Sequence, residues 1–457
     1  MIRFVVNGED LDLFANQSIA FDVVNPLLTF NTIQGHGTVP FSVPASKKNA
    51  RIFGWFSNQQ IKESQKIFFC EKYIFGSIFE TGFINIQFAD AAQFQVYFSQ
   101  NISEIFGDLQ KTELNKLPLG SEARPGSFVA SANHLTDKYA LPTIENPHFY
   151  GGSIGFSNKV NDFSASTGPK TPMLFLKWLL EQIQTLTGTT IDGTFLPDAD
   201  IKRLLFYNTF ALDSATTIIY ANHLPSITTE MLLLELKKAF NLSVEYNAKK
   251  KRLSLNFADN YFNAEPSIDW SDRIDANPNK LPFSNNRLEI IAALDSSDAL
   301  TKTAHVDFAP YASTGTTEAL QIKLAFSSLL TASSGQAQAE QEGITDQTKQ
   351  GNKTFSPRLL FWNGIQSSIP TASIASGTYR LSPLGLKNSF YVNTENFLKN
   401  TYTTERTAYL SPADIVQFDP KQKVHINGVN YFVQKLSLQL GLQKAGRIKA
   451  KLLLCKI

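Results

Sequence analysis

Three groupings in this sequence have residue types that could do chemistry. The run Gly151-Gly152-Ser153-Ile154-Gly155 fits the G-x-S-x-G spacing of a nucleophile elbow. There a strand feeds a sharp turn into a helix and leaves the serine hydroxyl exposed for acyl transfer. The flanks do not supply that frame. Pro142 and Pro147 lie where a central strand would need its N–H groups, and the downstream FSNKVNDFSAS has no helical period. The run reads as a Gly-rich turn. The second grouping is acidic: Glu9, Asp10 and Asp12 follow Asn7-Gly8. Asn-Gly favours a tight hairpin, so these carboxylates read as its solvated flank rather than as an acid/base or metal set. The third is the set of six histidines, His36, His134, His148, His223, His305 and His425. No two have the i, i+4 spacing of H-E-x-x-H and none lies near a cysteine, so no metal site forms from local spacing.

The sequence also lacks a P-loop and a dinucleotide fingerprint. A carboxylate pair drawn from distant elements, as in glycosidases, leaves no trace in local spacing. The expectation is a protein that is not an enzyme, with no catalytic, cofactor-binding or metal residues to assign and no cofactor. Cys70 and Cys455 both sit in apolar runs and read as buried free thiols, outside any disulfide framework. Lysine and arginine total 42 against 40 aspartates and glutamates, a net charge of +2. That balance leaves no overall electrostatic footprint for nucleic acid. The short basic runs, Lys249–Arg252 and Lys47–Lys48, read as solvated turns. No stretch approaches the ~20 apolar residues that span a bilayer, and MIRFVVNGEDLDL has no long apolar core of a signal peptide.

The elements that would position any site are mostly strands. At 457 residues the chain should hold several domains. Its 36 phenylalanines suit a Phe-rich β core. Residues 1–115 alternate with period two: Ile84, Ile86 and Phe88 against Asn85 and Gln87, and Phe94, Val96 and Phe98 against Gln95 and Tyr97. Gly54, Gly76 and Gly82 punctuate them, and residues 102–109 read as a short closing helix. Residues 116–170, rich in Pro, Gly, Ser and Asn, read as an extended connection on a surface or around a neighbour. Residues 171–265 read as an α+β module. Its first helix spans 171–188, capped by Thr171, with Gly188 as its stop, and its second runs from about Thr229 to Phe240. A hairpin follows, with strands Ser243–Tyr246 and Leu253–Phe257. Residues 266–365 are mixed, with 327–353 expected as an exposed polar loop and order resuming at Phe355–Trp362. Residues 366–457 return to β. The turn Asn427-Gly428 joins Val424 and Ile426 to Tyr431 and Val433, a phase slip at Gln434–Lys435 predicts a bulge, and Ile448–Leu454 is the last strand.

The stretch Phe41–Trp55, FSVPASKKNARIFGW, runs from a strand ending at Pro44 through a turn at Ala45–Asn49 to apolar Ile52, Phe53, Trp55 and Phe56. It resembles the N-terminal barrel of phage tail hub proteins. The resemblance extends by order and pattern over most of the chain. Ile19–Phe30 and Thr38–Phe56 look like strands of the first barrel, and Thr229–Phe257 looks like the interposed α/β module. Phe355–Trp362 resembles a segment leading into the second barrel, and Asp414–Leu440, DIVQFDPKQKVHINGVNYFVQKLSLQL, looks like its closing hairpin. Residues 116–170 and 263–350 match nothing in that pattern.

The resemblance implies a mainly β fold with α+β insertions: two tube-like β-barrel domains, 1–115 and 366–457, separated by smaller α/β modules. It implies a structural tail-tip or baseplate hub that forms a homotrimeric ring between tail tube and central tip. The implied partners are the tail tube or distal tail protein, a tip spike or central fibre protein and the tape-measure protein. Neither specific nucleic-acid binding nor a membrane span is implied, and the place is a virion tail or phage-like particle after assembly in the bacterial cytoplasm. A near-neutral charge would let DNA pass without sticking. A receptor- or carbohydrate-binding tail protein is the alternative, expected to expose Trp and Tyr clusters on loops, and a cell-envelope hydrolase is the third reading.

Overall fold

Period-two patterning at the two ends of the chain converges on one sheet. The computed structural model describes residues 2–33, 37–62, 65–100, 109, 111–152, 156–165, 167–247, 250–275, 279–303, 305–345, 355–441 and 446–457. The N-terminal alternation becomes strands Ile2–Val6, Ser18–Val24, Phe41–Pro44, Ile67–Ile74, Ser77–Ala89 and Gln93–Ser99. The C-terminal alternation becomes Tyr402–Leu410, Lys423–Ile426, Val429–Gly441 and Ile448–Lys456. Asn7-Gly8 (φ 50° and 86°) and Asn427-Gly428 (φ 48° and 84°) turn their hairpins with both residues left-handed, which Asn and Gly tolerate best.

These strands belong to a single 14-stranded sheet. Its seam is antiparallel: Ser18 lies opposite Gly441 and Val24 opposite Lys435. The inward residues along it, Ile19, Phe21 and Val23 facing Leu436, Leu438 and Leu440, are all at most 2% exposed. Burying each such side chain contributes about 1.5–3 kcal/mol relative to exposure, so the seam is an interior feature and not a loose edge contact. The same core takes in residues from both ends of the chain, Phe4 and Phe98 as well as Leu410 and Leu454. The bulge expected at Gln434–Lys435 is present as a register shift between Val433 and Lys435.

A second core holds the middle of the chain. The helix Thr229–Phe240 forms where expected. Thr228 caps it by accepting from the Met231 N–H, Glu230 and Lys237–Lys238 complement its dipole, and Leu232, Leu233, Leu236 and Phe240 are buried. The chain returns as the hairpin Leu242–Asn247 and Arg252–Phe257. A third strand, Thr190–Asp192, runs parallel to Arg252–Ser254. Phe432 and Cys455 turn into this core while their neighbours Val433 and Leu454 face the other. The sheet is therefore covered on both faces at that end and on one face elsewhere, which splits the hydrophobic pattern of its strands.

Several expectations change. The first helix is Leu176–Thr187, shorter than 171–188; residues Met173–Leu174 are a strand, Phe175 is the cap position, and Thr171 is buried as an acceptor and donor within the core. Gly188 does end the helix, with φ 63°. The turn expected at Ala45–Asn49 is the start of a helix, Lys47–Ile52, capped by Ser46. It ends in a Schellman arrangement: the Trp55 N–H reaches Ala50 O at 2.6 Å and the Gly54 N–H reaches Arg51 O at 3.0 Å. Phe88 does not continue the inward face, because a register shift between Ile86 and Phe88 turns it outward.

The segment expected as an exposed loop at 327–353 is instead built in as far as Thr345. Leu330–Thr331 pairs with Ala337–Gln338, and Leu329, Ala337, Ala339 and Ile344 are buried. Serine, glycine and glutamine content pointed to solvent there, but Ser328, Gln336 and Gln341 are buried with the apolar residues. The extended connection 116–170 wraps this central core. Ser121–Ala123 pairs with Thr217–Ile219, Tyr139–Ala140 with Met173–Leu174, and Ile144–Glu145 with both Lys159–Val160 and Ala337–Gln338. The closing helix expected at 102–109 and the last part of the polar loop, 346–353, fall outside the described residues apart from Leu109.

Candidate functional site

The residue groups that could do chemistry end up dispersed or tied down. Ser153 and His36 lie outside the described residues. His223 is buried with Nδ1 at 3.2 Å from Asn208 Oδ1, and His425 spans its own hairpin turn, 2.8 Å from Asn430 Oδ1 and accepting from the Gly428 N–H. His305 accepts from the Asp307 N–H at the start of a short helical turn. Among the described residues no three His, Cys, Asp or Glu side chains gather where they could hold a metal ion. Glu9, Asp10 and Asp12 form the hairpin flank expected of them: Glu9 pairs with Arg51, Asp10 with Arg3, and Asp12 with Lys48 and the Ser46 hydroxyl. The Ser46 hydrogen bond holds the Asp12 carboxyl below its ordinary value. Cys70 and Cys455 are buried and free, as expected; burial raises both thiols, Cys455 to about 12.

Two charged clusters lie inside the molecule and a third lies at its surface, and none was visible in local spacing. Lys72 falls on the inward phase of Ile67–Ile74 and ion-pairs with Glu80 inside the end-strand core. Its ammonium sits 4.4 Å from the Phe21 ring centroid and 4.8 Å from that of Phe98, a cation–π cage. In the central core, Arg358 opens the strand Arg358–Gln366 and forks onto two buried carboxylates, Asp295 at 2.7 Å and Asp298 at 2.6 Å. Gln341 accepts from the same guanidinium, which lies 4.7 Å from the Tyr207 ring. Burial would raise the Asp295 carboxyl, but Arg358 and the Ser297 hydroxyl hold it below its usual value. An anionic aspartate saturated by arginine and by backbone donors is a structural clamp, not a general base.

The third cluster borders a cleft of about 480 Å³. Lys138 Nζ stands 2.7 Å from Glu122 and 2.5 Å from the Tyr220 hydroxyl, which itself donates to Glu122 at 2.6 Å. Burial works against the Glu122 carboxylate, yet Lys138 and Tyr220 lower it. Glu122 raises Lys138, and burial, then Glu122, raises Tyr220. All three groups move away from neutrality, which removes their use as proton carriers near pH 7.

What remains as a candidate site is the seam itself and the sheet face above it. Opposite the buried row, Ser18, Ala20 and Asp22 lie beside Gly441, Gln439 and Ser437, and the next strand adds Lys449 and Lys451. Lys435 pairs with Asp22 at 2.8 Å, and Ser437 donates to the same carboxylate at 2.6 Å. With Phe75 and Arg447 these residues line a concavity of about 660 Å³ that crosses the join between the two ends of the chain. The arrangement offers a surface and a fold junction; it assembles no reacting groups. No helix among the described residues is long and apolar enough to cross a membrane.

No family model matches the sequence, and no curated protein matches it. Solved structures do. The chain is similar over 99% of its length to the crystal structure of a 43 kDa tail protein of prophage MuSo2 from Shewanella oneidensis, at 9% identity, covering 97% of that chain with a TM-score of 0.43. It is similar over 100% of its length to a tail protein from Neisseria meningitidis MC58, at 11% identity, covering 96% of that chain with a TM-score of 0.42. A third similar structure, over 99% of this chain and 76% of the other at 6% identity and a TM-score of 0.36, is the Escherichia coli c3393 protein. That protein is a type VI secretion system component with structural similarity to the T4 bacteriophage tail proteins gp27 and gp5.

Proposed function

We propose that this chain is a structural tail protein, a tail-tip or baseplate hub of a phage tail or a phage-derived injection apparatus. The observation that carries the reading is the seam. Strands from the first 24 residues and from the last 30 share one ladder and one core, so two β units at opposite ends of the chain form one rigid wall. The reading divides that wall into two tube-like barrel units, with residues 171–265 and 266–365 as the insertions between them.

Three copies of a chain with two such units make a closed ring with six quasi-equivalent units. That ring adapts a six-fold tube to a three-fold tip, and closed symmetry satisfies each copy's contacts without leaving a free end. Ring closure also covers sheet edges, which here are short and polar or proline-bearing, Glu9–Asp10 at one end and Leu281–Pro282 at the other. The partners in this reading are the tail tube or distal tail protein on one side, a tip spike or central fibre protein on the other, and the tape-measure protein in the lumen. Its place is the virion tail, after assembly in the bacterial cytoplasm. The glycan-binding alternative asks for exposed Trp and Tyr clusters on loops, whereas Trp178, Trp270 and Trp362 are buried, Trp55 is the one exposed tryptophan, at 48%, and the exposed Tyr409 lies on a strand.

Mass measurement in solution, alone and with the tail tube protein, tests the proposal, followed by electron cryomicroscopy of the assembled species. The expected result is a trimeric ring that stacks on the tube. A species that stays monomeric with tube protein present and binds glycans would overturn it.

A further inference from the structure

We propose that the seam concavity is a binding site for the phosphodiester backbone of nucleic acid. The inference does not depend on ring formation. The net charge of +2 hides a strong local imbalance. Arg447, Lys449 and Lys451 line the concavity and are exposed. None of the three has a carboxylate partner among the described residues, because Asp22, the acidic residue of the lining, is already taken by Lys435 and Ser437. Lys449 and Lys451 are two residues apart on one strand, so their side chains leave the same face from Cα positions about 6.6–6.8 Å apart. Ser18, Ser437 and Gln439 add neutral hydrogen-bonding groups between the cations.

Two features favour a phosphate backbone over an acidic polypeptide. The concavity lies on a sheet face whose strand, Val429–Gly441, is already paired on both sides. A polypeptide cannot add there as a strand, so recognition has to come from side chains. The side chains present, lysine, arginine, hydroxyl and amide, are those that contact phosphate oxygens without reading sequence. In addition, Tyr409, 44% exposed, stands directly opposite Lys449 in the neighbouring strand, where an aromatic ring beside cations offers a stacking surface for a base.

The test uses the full chain with fluorescein-labelled single-stranded and duplex DNA of random sequence, read by anisotropy, with polyglutamate of matched charge as competitor. Three phosphate contacts give a slope of log K on log[salt] of about −2.7 for duplex, roughly a 40-fold loss of affinity between 50 and 200 mM salt. Lys449→Ala/Lys451→Ala should lower affinity about tenfold or more and bring the slope near −1. Melting temperature and mass should be unchanged, since both side chains are exposed. Lys302→Ala, on a different surface, should change nothing. Absence of DNA binding at 50 mM salt, binding indifferent to salt, or full affinity in the double variant would each overturn the proposal. Tighter binding of polyglutamate than of DNA would overturn it in favour of an acidic protein partner. Since ring formation is read separately by mass, its failure leaves this result standing, and the reverse.

Discussion

The end-strand core and the central core each bury an ion cluster, and they do so for different structural purposes. Lys72 and Glu80 are eight residues apart on one hairpin and pair across its ladder, Cα to Cα. Their partners beyond each other are aromatic rings, Phe21 and Phe98. Arg358 instead ties its own strand to segments that have little regular structure, the 295–298 loop and Gln341. The two aspartates pass the constraint on to the backbone, Asp295 accepting from Ser297 N and Asp298 from Leu300 N and Glu340 N. The hairpin would keep its shape without its ion pair, because the ladder already sets it. The loops around Arg358 have no ladder, and the guanidinium does for them what strand pairing does elsewhere.

Removing the clamp is the strongest way to sharpen that contrast. Arg358→Met leaves two buried carboxylates without their cation, and breaking buried pairs of this kind costs about 3–5 kcal/mol. The expected outcome is a loss at the upper end of that range in urea denaturation, with local exchange of the 295–301 and 336–341 amides rising first. Lys72→Met should cost somewhat less, and here the contrast can be broken outright. Lys72→Met/Glu80→Leu should recover most of the loss, since an apolar pair of similar volume is often neutral or better in such a core. Arg358→Met/Asp295→Leu/Asp298→Leu should not recover, because the backbone donors and Gln341 would then be orphaned. Equal recovery in both would show that the two clusters play the same role.

Acid titration separates two carboxylates within the central core. The Asp295 carboxyl is held down by Arg358 against its burial, so its contribution is present above the unfolded value of about 3.9 and is lost as pH falls. Asp259 has the opposite sign. It sits against the start of the helix Val392–Asn400, near Asn393 and Asn241. Burial raises it from 3.8 to about 6, although the Asn393 and Thr394 N–H groups pull it down. Between these values the folded state binds the extra proton, so stability falls as pH rises from about 4 to about 6. Asp259→Asn should flatten that slope in pH-dependent denaturation, and an unchanged slope would refute the assignment. The smallest effect is expected at the seam surface. Lys435 and Asp22 are 45% and 34% exposed, and Lys435→Ala should cost less than about 1 kcal/mol and less still at high salt.

Local signals were readable where one residue type decides the backbone. Asn-Gly turns at 7–8 and 427–428, the glycine stop at 188 and the helix Thr229–Phe240 with its charged ends all follow from φ preference, the helix dipole and a 3.6-residue period. The inward faces of Gln93–Ser99 and Val429–Gly441, and the bulge between Val433 and Lys435, follow from period two. Thr171 failed as a cap because a threonine before a proline looks the same whether a helix starts there or four residues later. Phe88 failed because a bulge moves the phase without leaving a composition signal. Nothing in the sequence near Arg358 announces Asp295 or Asp298, sixty residues away.

The sequence by itself determined that this is a mainly β protein with a helix–hairpin insertion, free thiols, near-neutral net charge and no local catalytic pattern. These are properties of periods and turns, settled within a dozen residues, or of composition summed along the chain. Only the tertiary structure decided that Ser18–Val24 pairs with Lys435–Gly441, that the polar segment before 345 is built into the core, and that Arg447, Lys449 and Lys451 share one concavity with a single, already paired acid. Pairings across more than 400 residues depend on which distant strand offers a matching face. Charge patches depend on which side chains the pleat turns outward together, and neither is written in any local stretch of the chain.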